Sequence, residues 1–560
     1  MAVNPGHNGS VALTVDGELV CYIEEERLSR QKYDGNPFRG MLDIMKDHHV
    51  DEIVIAGTSS ELATLPWTGE DAYTSLVRKF NPNVKSTRLG HEHHLGHAAG
   101  AFYNSGFDKA IAIVVDGAGS FHTHQLNDEG FTAKGFETES VFTCEYPAKF
   151  QQVYKSYGDN ESPRIFASNM LFDSAVSITK AYEGVSHYLG FGFIEAGKTM
   201  GLAPYGKADA TIPPLFINGR GSKDIFNPVY PAGSLIEQSR YDVFKKESDS
   251  NDWHTDPSKL RDVDKNLAFA IQRDTQDLVL NLIMLAVEST GIKNVVLSGG
   301  YGLNCVANYH FQKRLPHDIN LYCEPIAHDG GTAIGVAKLI HYNNTESMEI
   351  CPQTSIYLGV QYDPTKYLDN IQDYEFQVSD VTYEDIAKLI ADKNIVAMFQ
   401  GRSEAGPRAL GNRSILYDPR DPSGKDAVNE VKGREWFRPF AGSVLAEDAD
   451  DWFDMAGMKE SPFMMYAVNV AADKLQEIPA ITHVDDTCRV QTVTEEQNHH
   501  YYNLIKAFKN ITEVPVLFNT SFNLAGEPLV ETINDALITI DKSDIRYLYL
   551  PEIGKLITKS

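Results

Sequence analysis

Paired cysteines are missing from this chain. Its six cysteines (Cys21, Cys144, Cys305, Cys323, Cys351 and Cys488) are scattered over 560 residues with no C-x-x-C pair. That excludes a zinc ribbon and a disulfide scaffold. Positive charge is scarce as well: 50 Lys and Arg stand against 77 Asp and Glu, a net charge of −27. Affinity for polymeric nucleic acid is largely electrostatic, so a general basic surface for it is excluded, although a nucleotide can still enter a local basic pocket. Long apolar runs are absent. The most apolar stretch, LVLNLIMLAV at 278–287, is too short to span a bilayer and predicts a buried helix. The opening MAVNPGHNGSVALTVDGE shows no basic segment followed by an apolar run, the mark of a signal peptide. The expectation is a soluble cytoplasmic enzyme with no membrane attachment. Its length allows roughly two to four domains.

Histidine is unevenly spread. Four of the 18 histidines fall in HEHHLGHAAG, residues 91–100. His93 and His97 are four apart, which puts them on one helical face about one turn from each other. That spacing suits two imidazoles gripping one metal ion; a polar helix start with scattered histidines is the plainer alternative.

Strand and turn signals recur along the chain. SVALTV and ELVCYIEEE flank the hairpin turn Asp16-Gly17. About a hundred residues on, KAIAIVV runs into Asp116-Gly117-Ala118-Gly119, then SFHTHQL and a turn at Asp128-Glu129-Gly130. Two such copies predict a duplicated α/β core, the layout of the actin and sugar-kinase superfamily, rather than one irregular mixed sheet. Residues 205–265 are polar and turn-rich, an excursion between elements. NVVLSGG and INLYCEPIAHDGGTAIGVAKLI then read as strand-and-turn units, the second leading into a helix. The segment 341–366 has no clear period and marks a boundary. Beyond it, YEDIAKLIADKN predicts a helix and IVAMFQ a strand of a second domain.

Several turns could carry chemistry. Asp116 lies at a strand end beside glycines, where a carboxylate reaches a metal or a phosphate-bound ion. Gly299 and Gly300 separate a strand from a helix, where backbone N–H groups can approach a phosphate; a tight turn is the alternative. Asp329 precedes Gly330-Gly331 and a helix start, also the place of an ordinary N-cap. Together with the two histidines these aspartates make a His₂Asp₂ set, which suits iron(II), manganese or zinc. From Gln400 to Phe440 the balance reverses, with eight basic residues (Arg402, Arg408, Arg413, Arg420, Lys425, Lys432, Arg434, Arg438) against six acidic ones. Arginines spaced among glycines resemble a phosphate pocket, since guanidinium grips phosphate bidentately.

In this order HHLGH, DGAG, GKTMGLAPYG, GGYGLNCVAN, EPIAHDGG, GPRALGNRSILYDPR, FRPFAGSVL, TCRVQTV and NTSFNLAGEPLVET resemble the O-carbamoyltransferases, enzymes similar to the nodulation-factor, cephamycin and aminoglycoside carbamoyltransferases. The resemblance covers nearly the whole chain. It implies an α/β protein of two domains: a Kae1-like, actin-like transfer domain over 1–350 and a YrdC-like domain with a twisted sheet over 365–560. The second would use ATP to turn carbamoyl phosphate into carbamoyl-adenylate, with Mg²⁺. The first would pass the carbamoyl group to a hydroxyl of a small-molecule acceptor: a sugar, antibiotic, polyketide or hydroxymethylated nucleotide. The family pattern places an iron(II) or similar divalent ion on His93, His97, Asp116 and Asp329. It makes His91 and His94 bystanders or supporting groups. It makes His7, Arg413 and Arg438 catalytic, with His7 the suggested general base and a turn histidine the plainer alternative. It assigns nucleotide and phosphate binding to Lys198, Gly299, Gly300, Asn304, Arg402, Arg408, Arg413, Arg420, Lys432, Arg434, Arg438, Asn519 and Ser521. Two positions depart from the pattern: Asp486 stands where glycine is expected and Cys488 where a small residue is usual. An actin-like kinase, a non-catalytic nucleotide-binding regulator and a tRNA threonylcarbamoyl-type transferase are the rivals; the charge of −27 weighs against the last. The acceptor, and whether the chain forms a homodimer, are not written in these motifs.

Overall fold

Two strand orders repeat one another in the first half of the chain. The computed structural model describes residues 1–58, 65, 69–126, 131–231, 234–237, 240–246, 252–369 and 371–559. The expected turn at Asp128-Glu129-Gly130 lies outside them. The first sheet holds β1 (Ala2–Asn4), β2 (Ser10–Val15), β3 (Glu18–Glu24), β4 (Glu52–Ile55) and β5 (Lys85–Arg88), in the order β3-β2-β1-β4-β5. Strands β1, β2 and β3 pair antiparallel, while β4 and β5 join parallel to β1. The turn between β2 and β3 has φ of 51° at Asp16 and 89° at Gly17, the left-handed pair that a tight hairpin asks for.

The second sheet repeats the plan. It contains β6 (Lys109–Val115), β7 (Phe121–Gln125), β8 (Thr132–Glu145), β9 (Lys149–Gly158), β10 (Ile165–Ala167) and β11 (Met170–Asp173). After the two-residue strands β12 (Phe216–Ile217) and β13 (Arg220–Gly221) of the polar excursion, β14 (Asn294–Ser298) and β15 (Asn320–Cys323) complete it. Its central order β9-β8-β6-β14-β15 has the senses of the first sheet: two antiparallel neighbours on one side of β6, two parallel on the other. This is the duplication read from the two hairpins. Strand β6 is buried from Ala110 to Val115, as a strand covered on both faces must be. The helix Asp262–Thr290 carries the apolar run at 278–287, but Leu285 and Met284 face outward, so it is one-sided rather than wholly buried.

The chain divides into two compact units, Met1–Glu25 with Tyr33–Thr354, and Glu26–Lys32 with Ser355–Ser560. The division near 354 falls inside the expected boundary. The short stretch Glu26–Lys32 differs from expectation, because it packs with the second unit. Its anchors are long-range hydrogen bonds: Arg27 donates to the Gly406 carbonyl, and Arg30 to those of Leu529 and Pro528.

The second unit is built on one ten-stranded mixed sheet. Its middle pairs Val396–Phe399 with Arg413–Tyr417, then Val516–Ser521, Ala441–Leu445 and Thr487–Val493. The expected helix and strand after the boundary are Tyr383–Ala391 and Val396–Phe399. Asp486 has φ of 62°, which explains why glycine suits this position; aspartate is among the residues that tolerate the left-handed region. No helix among the described residues is long and apolar enough to cross a membrane.

Candidate functional site

The helix His93–Ser105 begins at the first histidine of the expected metal pair. It crosses the helix Thr332–Thr345 at close range, because neither backbone carries a side chain at the crossing. A Cβ on Gly335 would lie 1.9 Å from the Gly96 carbonyl oxygen. This contact brings the histidine face to Asp329, which stands one turn ahead of the second helix. Asp116 arrives from the end of β6, held by the N–H of Gly300, which donates to its Oδ1 at 2.9 Å.

All four side chains are buried, and one donor atom from each lies within 4.8 Å of the others. Nε2 of His93 is 3.2 Å from Nε2 of His97, 3.6 Å from Oδ2 of Asp116 and 3.7 Å from Oδ1 of Asp329. Nε2 of His97 is 3.8 Å from that same Oδ1. Two imidazoles and two carboxylates converging out of water fit a divalent ion of the iron(II), manganese or zinc type. Burial opposes charge on His93, but Asp329 and Asp116 outweigh it and raise His93 to about 10. His97 moves the opposite way, to about 4, through burial and then the neighbouring His93. Burial would also raise the two aspartates. The imidazoles overcome it, chiefly His93 at Asp116 and His7 with His93 at Asp329, and hold both carboxyls below their usual range.

A buried carboxylate fixes the start of the helix His93–Ser105. Oε2 of Glu137 accepts from the N–H of Ser120 at 3.0 Å and of His94 at 3.3 Å, while Lys155 donates to Oε1. Ser120 Oγ accepts in turn from the N–H of His93. His94 points away from the four-residue set: its Nδ1 meets Ser140 Oγ at 2.8 Å, and burial lowers it to about 3. His91 is exposed. His7 stands at the mouth with its side chain 54% exposed and Nε2 3.3 Å from Oδ2 of Asp329.

The second unit gathers cations. Lys432 is 1% exposed, and its ammonium donates to the carbonyl of Ser521 and to the carbonyl and side-chain oxygens of Asn523. Arg434 reaches Oγ1 of Thr520 at 3.3 Å and Oγ of Ser521 at 3.4 Å. Burial first, then Arg434, Arg438 and Lys32, pushes Lys432 well below the usual ammonium range. Burial, then Arg438 and Arg489, does the same to Arg434. Cations crowded together out of water await an anion.

Three arginines of the expected phosphate set are engaged elsewhere. Arg413 is wholly buried over the ring of Phe399, and its N–H groups donate to the carbonyls of Gln400, Gly401, Asn412 and Glu531. Arg402 donates to the carbonyls of Leu358 and Gly359, and Arg420 grips both oxygens of Asp418. In this structure these guanidinium groups tie loops together. Asn519 is buried against the Ala409 carbonyl and Ser443, and Asn304 caps a helix at the N–H of Ala307. Lys198 pairs with Glu195 at 2.8 Å, and Arg408 is half-buried. The glycine at 299 has φ of 85° and sits so close to β6 that a Cβ would lie 2.4 Å from the Val115 carbonyl oxygen. Lys432, Arg434, Arg438 and Ser521 come together as expected residues. Lys32 and Arg489 join them unpredicted, although Arg489 lies inside the TCRVQTV motif. In the first unit Lys180 and Glu183 lie against Gly117, next to Asp116.

Comparison with known proteins agrees with both halves. Residues 70–338 match the family described as carbamoyltransferase N-terminus, and residues 387–557 that described as carbamoyltransferase C-terminus. The chain is 30% identical to the nodulation protein NolNO of Sinorhizobium fredii, over 96% of this chain and 77% of that one. It is 31% identical to the nodulation protein NolO of Bradyrhizobium diazoefficiens, over 81% and 76%. It is 26% identical to the 3'-hydroxymethylcephem-O-carbamoyltransferase of Amycolatopsis lactamdurans, over 97% and 96%. With its two matched halves and relatives spanning nearly its full length, the chain belongs to the carbamoyltransferase family.

Proposed function

We propose that this chain is an ATP-dependent O-carbamoyltransferase with two separate chemical stations. In the second unit, carbamoyl phosphate, ATP and one water give carbamoyl-adenylate, pyrophosphate and phosphate. In the first unit, the hydroxyl of a small acceptor attacks the carbamoyl carbon and AMP leaves. The observation that carries this is the cationic group Lys432, Arg434, Arg438 and Arg489, in which burial first and then the neighbouring charges depress Lys432 and Arg434. A kinase that phosphorylates its acceptor has no use for it.

Each residue's part follows from its placement. Lys432 and Arg434 neutralise the phosphates of the two substrates and stabilise the charge that gathers on departing pyrophosphate. Ser521 Oγ accepts from both cationic groups at 3.4 Å and gives its own proton to Oδ1 of Asn523, which fixes the hydroxyl beside them. In the first unit His93, His97, Asp116 and Asp329 would hold iron(II) or a similar ion. When bound, that ion supplies a Lewis acid for the adenylate phosphate. His7, with Nε2 3.3 Å from Oδ2 of Asp329 and its ring half exposed, takes the acceptor's proton. The reaction belongs to the cytoplasm, where ATP comes with Mg²⁺.

The test is incubation with ATP, labelled carbamoyl phosphate and a panel of hydroxylated compounds. A carbamoyl gain in product mass is expected, with pyrophosphate formed only when carbamoyl phosphate is present. A phosphoryl gain would replace this proposal with the kinase.

A further inference from the structure

Beside the proposed transfer site lies a charged pair that the mechanism above does not use. Lys180 and Glu183 stand three apart on the helix Ile178–Tyr188, so they share a face. Nζ of Lys180 donates to Oε2 of Glu183 at 2.7 Å and to the Pro231 carbonyl at 2.8 Å. Both side chains are largely buried, at 6% and 14% exposure. The other carboxylate oxygen, Oε1, accepts no hydrogen bond among the described residues. It is aimed at the residue that follows Asp116: a Cβ on Gly117 would lie 2.8 Å from Oε1 and 3.2 Å from Nζ of Lys180. Asp116 and His7 both act on Glu183 electrostatically, after burial and Lys180.

The local charge balance limits what can enter. Asp116 and Asp329 offset a divalent ion, and the ammonium of Lys180 is committed to Glu183 and a carbonyl. No positive charge among these groups remains for an acceptor's own anionic group, and Oε1 of Glu183 repels one. A largely buried carboxylate oxygen that accepts no hydrogen bond instead attracts an ammonium or a second hydroxyl. We infer that Glu183, steadied by Lys180, binds and selects the acceptor, and that the acceptor is a neutral or cationic polyol or amino alcohol rather than a phosphorylated compound. This inference rests on the carbamoyl-transfer proposal and narrows its acceptor list by removing hydroxymethylated nucleotides.

Three two-carbon alcohols of equal size test it: ethanolamine, ethylene glycol and glycolate, which are cationic, neutral and anionic around one primary hydroxyl. Each is offered as a surrogate acceptor to the full-length, metal-loaded protein with ATP and carbamoyl phosphate, and kcat/KM for the O-carbamoylated product is measured. Ethanolamine should exceed glycolate at least about tenfold. Glu183→Gln should bring ethanolamine and ethylene glycol to within about twofold of each other while glycolate improves. A Lys180→Met variant should keep the ranking, with its size reduced. A glycolate rate equal to that of ethanolamine, an unchanged ranking in Glu183→Gln, or no carbamoylation of any of the three would each overturn the inference. Carbamoyl phosphate-dependent pyrophosphate formation, followed in the same preparations, separates the two failures. If it persists while the charge ranking is absent, only this inference falls; if it is absent from the wild type, the transfer proposal falls too.

Discussion

One carboxylate of Asp329 serves two histidines: Oδ2 lies 3.3 Å from Nε2 of His7, and Oδ1 3.7 Å from Nε2 of His93. The residue therefore joins the buried His₂Asp₂ set to the exposed His7. A change at Asp329 should damage both together, whereas a change at His7 should leave the buried set intact.

The first prediction concerns metal and protons. The purified protein should carry about one divalent ion per chain, as one four-donor set allows. His97→Ala should lose it, and His7→Ala should keep it. His93 is protonated below about 10 unless an ion takes its place, so uptake should release a proton across neutral pH and affinity should weaken as pH falls. Elemental analysis and metal titration in a weakly buffered solution read both. Full occupancy in a His93/His97 double alanine variant would remove the assignment.

Arg413 and Arg434 should fail in different ways. Arg413→Ala strips buried carbonyls of their donors and should cost at least about 3 kcal/mol of stability. Arg434→Ala removes one of several mutually repelling cations, so its melting temperature should hold or rise. Its carbamoyl phosphate-dependent pyrophosphate formation should drop about 100-fold or more. Thermal denaturation beside the activity assay separates scaffold from site; equal stability losses would contradict the distinction.

Anion binding at Lys432 should take up protons. Burial and the neighbouring cations depress this ammonium, and an entering phosphate favours its charged form. Affinity for carbamoyl phosphate should therefore fall as pH rises through the depressed value, and the calorimetric heat should vary with the ionisation enthalpy of the buffer. A heat independent of buffer would show that Lys432 is already fully protonated in the free pocket.

Gly299→Ala should distort the metal set from outside it. The new methyl needs φ near 85° and collides with the Val115 carbonyl, at a strain of about 1–3 kcal/mol before the clash is counted. Because the next residue holds Asp116 through its N–H, metal content should fall along with stability. Unchanged metal content would mean that Asp116 does not depend on that turn.

Much of this was legible in the sequence because it is local. The spacing of His93 and His97 needs only a helix. The repeated hairpins disclosed the duplication because each carries its own turn residues. Asp116 and Asp329 could be seen as glycine-flanked carboxylates, but only the crossing of Gly96 and Gly335 brings them to the histidines. The backbone carbonyls that Arg413 meets were not legible, because residue type and spacing do not reveal whether a guanidinium faces a pocket or its own backbone. Lys32, Lys180, Glu183 and Arg489 were missed because their partners are distant along the chain. The same holds for Glu26–Lys32, whose place in the second unit rests on carbonyls about 380 to 500 positions away.

The central claim is that activation and transfer use different residues in different units. The most direct measurement is carbamoyl phosphate-dependent pyrophosphate formation from ATP in two full-length variants, His93→Ala/His97→Ala and Arg434→Ala. The account predicts that the histidine variant still forms pyrophosphate while transferring nothing to an acceptor, and that Arg434→Ala forms almost none. Pyrophosphate formation lost with the histidines, yet kept without Arg434, would contradict it.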